Sequence, residues 1–101
     1  MQRTFVFAAF IAATPLSAVA QSGDVTARNL AAGCAICHGT EGRAVTRDVV
    51  ALAGLPKDYI AAQMQAFRDG KRPATVMHQI AKGYTDQQIE QLAGYFAAQR
   101  R

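Results

Sequence analysis

Residues Gly33-Cys-Ala-Ile-Cys-His-Gly39 hold both cysteines of the chain and one of its two histidines. Two thiols spaced C-x-x-C, with an imidazole directly after them, suit several chemistries. They can form a dithiol redox pair, half of a zinc site, a structural disulfide, or a point of covalent haem attachment. Each of these demands a different frame, so the reading of this stretch decides the fold.

The N-terminus narrows the compartment. Met1-Gln2-Arg3 is a short positive start, and Thr4 to Ala13 is almost wholly apolar. Pro15 and Ser17 break the run, and Ala18-Val19-Ala20 supplies the small-x-small pattern that signal peptidase cuts after. Residues 1–20 therefore read as a cleaved secretory leader, too short for a spanning helix. Residues 21–101 read as one domain, expected in the periplasm with no membrane anchor after cleavage.

Composition excludes some classes. Eleven Lys and Arg against seven Asp and Glu give a net charge of +4. The excess is scattered, with Arg100-Arg101 the basic doublet at the end. No basic stripe is interleaved with aromatics, so nucleic acid is not an expected partner. The chain offers no Ser-His-Asp set, no paired carboxylates on one face and no phosphate loop, so it is not expected to be an enzyme by itself. It has no Trp, and a domain of this size builds a thin core that needs a staple, a metal or a cofactor.

Periodicity predicts helices alone. Asp24 is placed as an N-cap for a helix over Val25 to Ala32 that runs into the cysteine motif, and Gly39 to Val50 reads as a loop. Pro56 and Asp58 suit the first turn of a second helix that stops at Gly70, with Ile60, Met64 and Phe67 on one face. A short helical piece is expected over Thr75 to Lys82. Thr85 and Gln88 form a capping box for the last helix, Tyr84 and Ile89 a hydrophobic staple, and Ile89, Leu92, Ala93 and Phe96 its inner face. With no strand-like alternation and no internal repeat, the fold class is all-α.

That frame separates the readings of the motif. Zinc wants four ligands, and only Cys34, Cys37, His38 and His78 are on offer, with His38 too close to Cys37 to share a tetrahedron easily. A dithiol nucleophile wants a helix N-terminus in a βαβ setting, whereas here the motif ends a helix. A disulfide leaves His38 without a task. Haem attachment uses all three residues. The thiols of Cys34 and Cys37 add to the two vinyl groups, and the imidazole of His38 reaches the iron from one face. A covalent haem c also supplies bulk to the core. For the opposite face, Met77 and His78 both follow the break at Lys71-Arg72-Pro73, while Met64 sits on the inner stripe of its helix and reads as core.

The order Cys34-Ala-Ile-Cys-His38-Gly39, Leu52-Ala-Gly54, Tyr59, Arg68-Asp-Gly70, Met77 and Leu92-Ala-Gly-Tyr95-Phe96 resembles the class I c-type cytochromes. The run from Arg72 through Met77 to Asp86 is similar to the monohaem cytochrome subunits of flavocytochrome c sulfide dehydrogenases. The likeness extends from about Asp24 to Gln99. It implies a class I cytochrome c fold wrapped around one haem, with His38 and Met77 as axial ligands and His78 a surface or neighbouring residue. It also implies that the first and last helices cross near the haem edge through Leu30, Leu92 and Tyr95. Tyr59 and Arg72 are candidates for the propionates. Single-electron transfer follows, with a sulfide-oxidising flavoprotein as the implied donor. A free carrier to an oxidase or reductase, or a haem sensor with an open sixth position, are the alternatives. Lys57, Lys71 and Lys82 would steer the protein toward acidic partners. The sequence departs from the class in one place. Many members carry a Pro shortly before Leu-Ala-Gly, with a carbonyl that accepts from the axial histidine. Val49-Val50-Ala51 stands there instead, and a less rigid loop is expected.

Overall fold

The last helix is the best specified part of the chain. In the computed structural model, which describes residues 22–101, Thr85 Oγ1 accepts from Gln88 N at 3.2 Å and Thr85 N donates to Gln88 Oε1 at 3.0 Å. This reciprocal pair starts helix α5, Asp86–Ala97, as the sequence predicts. Before it come α1 (Ser22–Ala31), α2 (Ala35–His38), α3 (Lys57–Arg68) and α4 (Met77–Ala81), with 3-10 turns at Ala32–Cys34 and Thr40–Gly42. No strand occurs among the described residues, in keeping with the all-α class expected from the sequence. The leader assigned to residues 1–20 lies outside them. No helix among them is long and apolar enough to cross a membrane.

Several boundaries differ from expectation. Helix α4 covers Met77–Ala81 rather than Thr75 to Lys82. The described chain is already helical at Ser22, so Asp24 lies inside α1 rather than capping it. The C-terminal end of α1 tightens into the 3-10 turn Ala32–Cys34 before α2 resumes the helical path through the cysteine motif. The motif is thus carried on nearly continuous helix rather than on a loop.

Helix α3 shows how local chemistry ends an element. Gly70, at φ +72°, closes a Schellman arrangement: Gly70 N donates to Phe67 O at 3.3 Å and Lys71 N to Ala66 O at 2.9 Å. Arg72 N also reaches Ala66 O, at 3.2 Å. The chain therefore reverses sharply and sends residues 73–76 back toward α4.

Packing brings α1 and α3 onto α5, and α4 onto α3. Ile89, Leu92, Ala93 and Phe96 form the inner face of α5, at spacings i, i+3, i+4 and i+7, and all are buried. Ala27 and Ala31 are the buried residues of α1, and their small side chains permit the close crossing with α5. Leu30, Met64 and Tyr95 pack at the rim of this core. Full burial of Ile89 and Leu92 contributes about 1.5–3 kcal/mol each.

Between α2 and α3 the chain has almost no regular structure, and glycine makes it possible. Gly42 O accepts from Leu52 N at 2.8 Å and from Ala53 N at 3.1 Å, which closes the base of the loop 43–51. Gly54 N then donates to Phe96 O at 2.9 Å and ties the loop to α5. Gly42 has φ +79°, and a Cβ there would lie 2.8 Å from Phe96 Cδ1 and 2.9 Å from Ala53 N. Gly42→Ala is expected to destabilise the protein by about 2 kcal/mol or more, from left-handed backbone strain plus overpacking. Denaturant unfolding followed by far-ultraviolet circular dichroism checks this; a loss under about 0.5 kcal/mol would show that the loop is not held at this point.

Candidate haem site

His38 is the one buried polar residue of the described chain. It is the last residue of α2. Gly39, at φ +82°, turns the chain away at once, and a Cβ at that position would stand 2.0 Å from Arg43 O. The turn lets the loop fold back over the imidazole, and His38 Nδ1 lies 2.7 Å from Val50 O. A carbonyl only accepts, so Nδ1 carries the proton and Nε2 keeps a free lone pair. That is the tautomer a metal ligand needs.

The missing proline is thereby accounted for. Val50 O accepts the histidine proton without it. The two bonds from Leu52 N and Ala53 N to Gly42 O fix the backbone immediately downstream. The expected loss of rigidity is met by hydrogen bonds instead of a pyrrolidine ring.

Both cysteines are free thiols, Cys34 half-buried and Cys37 exposed. Burial pushes the Cys34 thiol up, and the neighbouring Cys37 adds to the shift. A dithiol nucleophile needs the opposite. No three His, Cys, Asp or Glu side chains come together among the described residues.

Met77 opens α4 and is half-buried, in the helix that packs on α3. Met64 packs against the core, in keeping with its place on the inner stripe. His78 departs from a surface role: its Nδ1 is buried and has no hydrogen-bond partner among the described residues. Tyr59 is half exposed. Arg72 is turned onto α3, with its guanidinium 4.7 Å from the Phe67 ring centre and hydrogen-bonded to Gln63. Lys57 is held by Glu90 at 3.5 Å, which removes it from the set of free cations.

Two contacts were not legible in the sequence. Tyr84 was expected only to staple α5, and it does pack on the core with Ile89. It also lies close enough to Cys34 for that thiol's charge to act on its phenol. The second is the Val50 carbonyl itself. A backbone acceptor carries no side-chain signature, and its pairing with His38 spans twelve residues of irregular chain.

The residues present fit a covalent haem. Two thiols stand on a helical turn, and the imidazole beside them is buried with Nδ1 already committed to Val50 O and Nε2 free. Large apolar side chains are exposed at Ile36 within the motif, Val45 and Val50 in the loop after it, and Val76 and Ile80 around Met77. Five of the seven large hydrophobic residues exposed among the described residues thus belong to the segments bearing the candidate ligands, where a large flat apolar group would cover them.

Comparison with known proteins agrees. The family model for cytochrome c matches residues 26–99. The cytochrome subunit of sulfide dehydrogenase from Chlorobaculum tepidum is 39% identical over 67 residues, 66% of this chain and 60% of that protein. Cytochrome c-554(548) of Halomonas halodenitrificans is 33% identical over 69 residues, 65% of this chain and 83% of that protein. A solved structure of cytochrome c4 from Acidithiobacillus ferrooxidans superposes with a TM-score of 0.65 at 32% identity, over 80% of this chain and 49% of that one. The chain therefore spans 60% of the sulfide dehydrogenase subunit and about half of the cytochrome c4 chain.

Burial raises the Tyr84 phenol above its usual value, with the charge of Cys34 a smaller cause. Thioether formation removes that charge, and the burial remains. The group keeps its proton longer in the folded state. Its contribution to stability is full below the ordinary phenol range and is lost as pH rises through the raised value. In the holoprotein one phenolate absorbance step is expected to lag the others on alkaline titration, and Tyr84→Phe is expected to abolish the lag. A lag that survives the substitution would place the buried phenol elsewhere.

Proposed function

This chain belongs to the cytochrome c family, and from that premise we propose which residues hold its single covalent haem c and which partner it serves. It is a monohaem c-type cytochrome, an electron-transfer protein rather than an enzyme. The bound haem supplies one-electron redox chemistry.

Cys34 and Cys37 are the attachment thiols, and His38 and Met77 the axial ligands. The observation that carries this assignment is the 2.7 Å bond from His38 Nδ1 to Val50 O, which leaves Nε2 as the free donor of a fixed ring. The carbonyl holds the plane of the His38 ring. Met77 is a neutral thioether, and its ligation favours a higher potential than a second histidine would. The half-buried Cys34 and the core beside it keep water from one edge of the site.

Residues 1–20 are the cleaved leader that delivers the domain to the periplasm, supported by the charge, apolar run and cleavage pattern of the sequence. The electron donor is a sulfide-oxidising flavoprotein, supported by the likeness to the sulfide dehydrogenase subunit. A second reading, a free carrier to an oxidase or reductase, draws on the match in length to cytochrome c-554(548). Either partner is expected to be acidic where it docks. Between Gly70 and Tyr84 the sequence has Lys71, Arg72 and Lys82 and no acidic residue, and all three cations are exposed beside the exposed Val76 and Ile80.

Met77→Ala is expected to abolish the weak Met–iron charge-transfer band of the oxidised protein and leave haem colour on a denaturing gel. An unchanged band would overturn Met77 as ligand. Replacing both Cys34 and Cys37 by Ser is expected to remove all covalent haem. Rapid, full binding of carbon monoxide by the reduced wild type would favour a sensor with an open sixth position. Isolation from the native source is expected to bring down a flavin-containing subunit; haem without flavin would favour the free carrier.

A further inference from the structure

Met77 lies on a segment whose two ends meet at one side chain. Arg68, the last residue of α3, is one-quarter exposed. Its Nη2 pairs with Asp86 Oδ1 at 2.6 Å, its Nε with Asp69 Oδ1 at 3.5 Å, and its Nη1 donates to Tyr84 O at 3.5 Å. One guanidinium therefore touches the chain just before residue 70 and again at 84 and 86. The segment from Gly70 to Gly83, Met77 included, is a loop closed at its neck by Arg68.

We propose that Arg68 is a positioning residue for Met77, holding the neck of the 70–83 loop shut so that the methionine stays at the iron. The inference rests on the reading of Met77 as axial ligand. Within the loop, α4 packs on α3. Ala81 is buried, and Arg72 lies along α3 against Phe67 and Gln63, while Val76 and Ile80 are exposed. A loop of this kind opens at its least restrained joint. The Arg68 fork joins the end of α3 to the start of α5 at that joint. Asp86 suits the task because it sits in the first turn of α5, where the helix dipole already favours a carboxylate. A planar guanidinium is required, since a lysine ammonium cannot face Asp69, Asp86 and a backbone carbonyl in three directions with comparable geometry.

A second ion pair serves as an internal control. Lys57 and Glu90 also join α3 to α5, at 3.5 Å, yet they lie outside the loop that bears Met77. The experiment uses the holoprotein and follows the rate at which added imidazole displaces Met77, read by loss of the Met–iron charge-transfer band. The exchange breaks the sulfur–iron bond and forms a nitrogen–iron bond with no change of oxidation state. Arg68→Gln and Asp86→Asn are expected to speed it about two- to fivefold, the range for loss of a largely exposed ion pair. Arg68→Lys is expected to recover part of the slow rate, and Lys57→Gln to leave it at the wild-type value. Entry equally fast in wild type, Arg68→Gln and Asp86→Asn would overturn the positioning role. So would equal acceleration by Lys57→Gln, which would show a general loss of stability. A wild-type protein without the band would overturn the Met77 assignment and the role of Arg68 with it.

Discussion

The hydrogen bond from His38 to the carbonyl of Val50 organises this molecule. An imidazole that ligates iron must present one nitrogen with its ring held still, and the other nitrogen is the handle. Everything between Gly39 and Gly54 serves to put a carbonyl at that handle. Gly39 turns the chain away from α2 at φ +82°, Gly42 accepts twice to close the loop, and Gly54 ties it to α5. The loop has no regular structure because its product is a single oriented acceptor.

The opposite side of the site is built on another plan. Met77 rides on a short helix between two well-terminated long ones, and precision there comes from the ends. The Schellman turn at Gly70 and the capping box at Thr85 fix where the loop leaves α3 and where it enters α5. Arg68 then bridges the two exits. This division suits an electron carrier, in which the covalent face needs permanence and the methionine face needs a small polar anchor. The same loop carries the exposed cations Lys71, Arg72 and Lys82 beside the exposed apolar side chains of Val76 and Ile80.

Legibility in the sequence followed the range of the interactions. The start of α5 was readable to the residue because a capping box is a contact across three positions. The stop of α3 was readable because Asp69-Gly70 is a local signal. Asp24 lies within α1 rather than at its cap, since an acidic residue is compatible with either position. Lys57 read as an exposed cation and is paired with Glu90, a contact across two helices that no local pattern records. His78 read as a surface or neighbouring residue, and its Nδ1 is buried; a short helix with weak periodicity does not announce its inner face.

The sequence by itself determined the chemistry. Two thiols and an imidazole at fixed spacing admit one economical use in a small helical chain without Trp, and that conclusion needs no coordinates. It also determined the helices, since caps, stops and apolar spacing act within a turn or two. The tertiary structure decided how the site is held. The Val50 carbonyl against His38 and the contacts of Arg68 with Tyr84 and Asp86 join residues twelve or more positions apart. Backbone acceptors and tertiary ion pairs leave no periodic trace in a sequence, so only the folded path could reveal them.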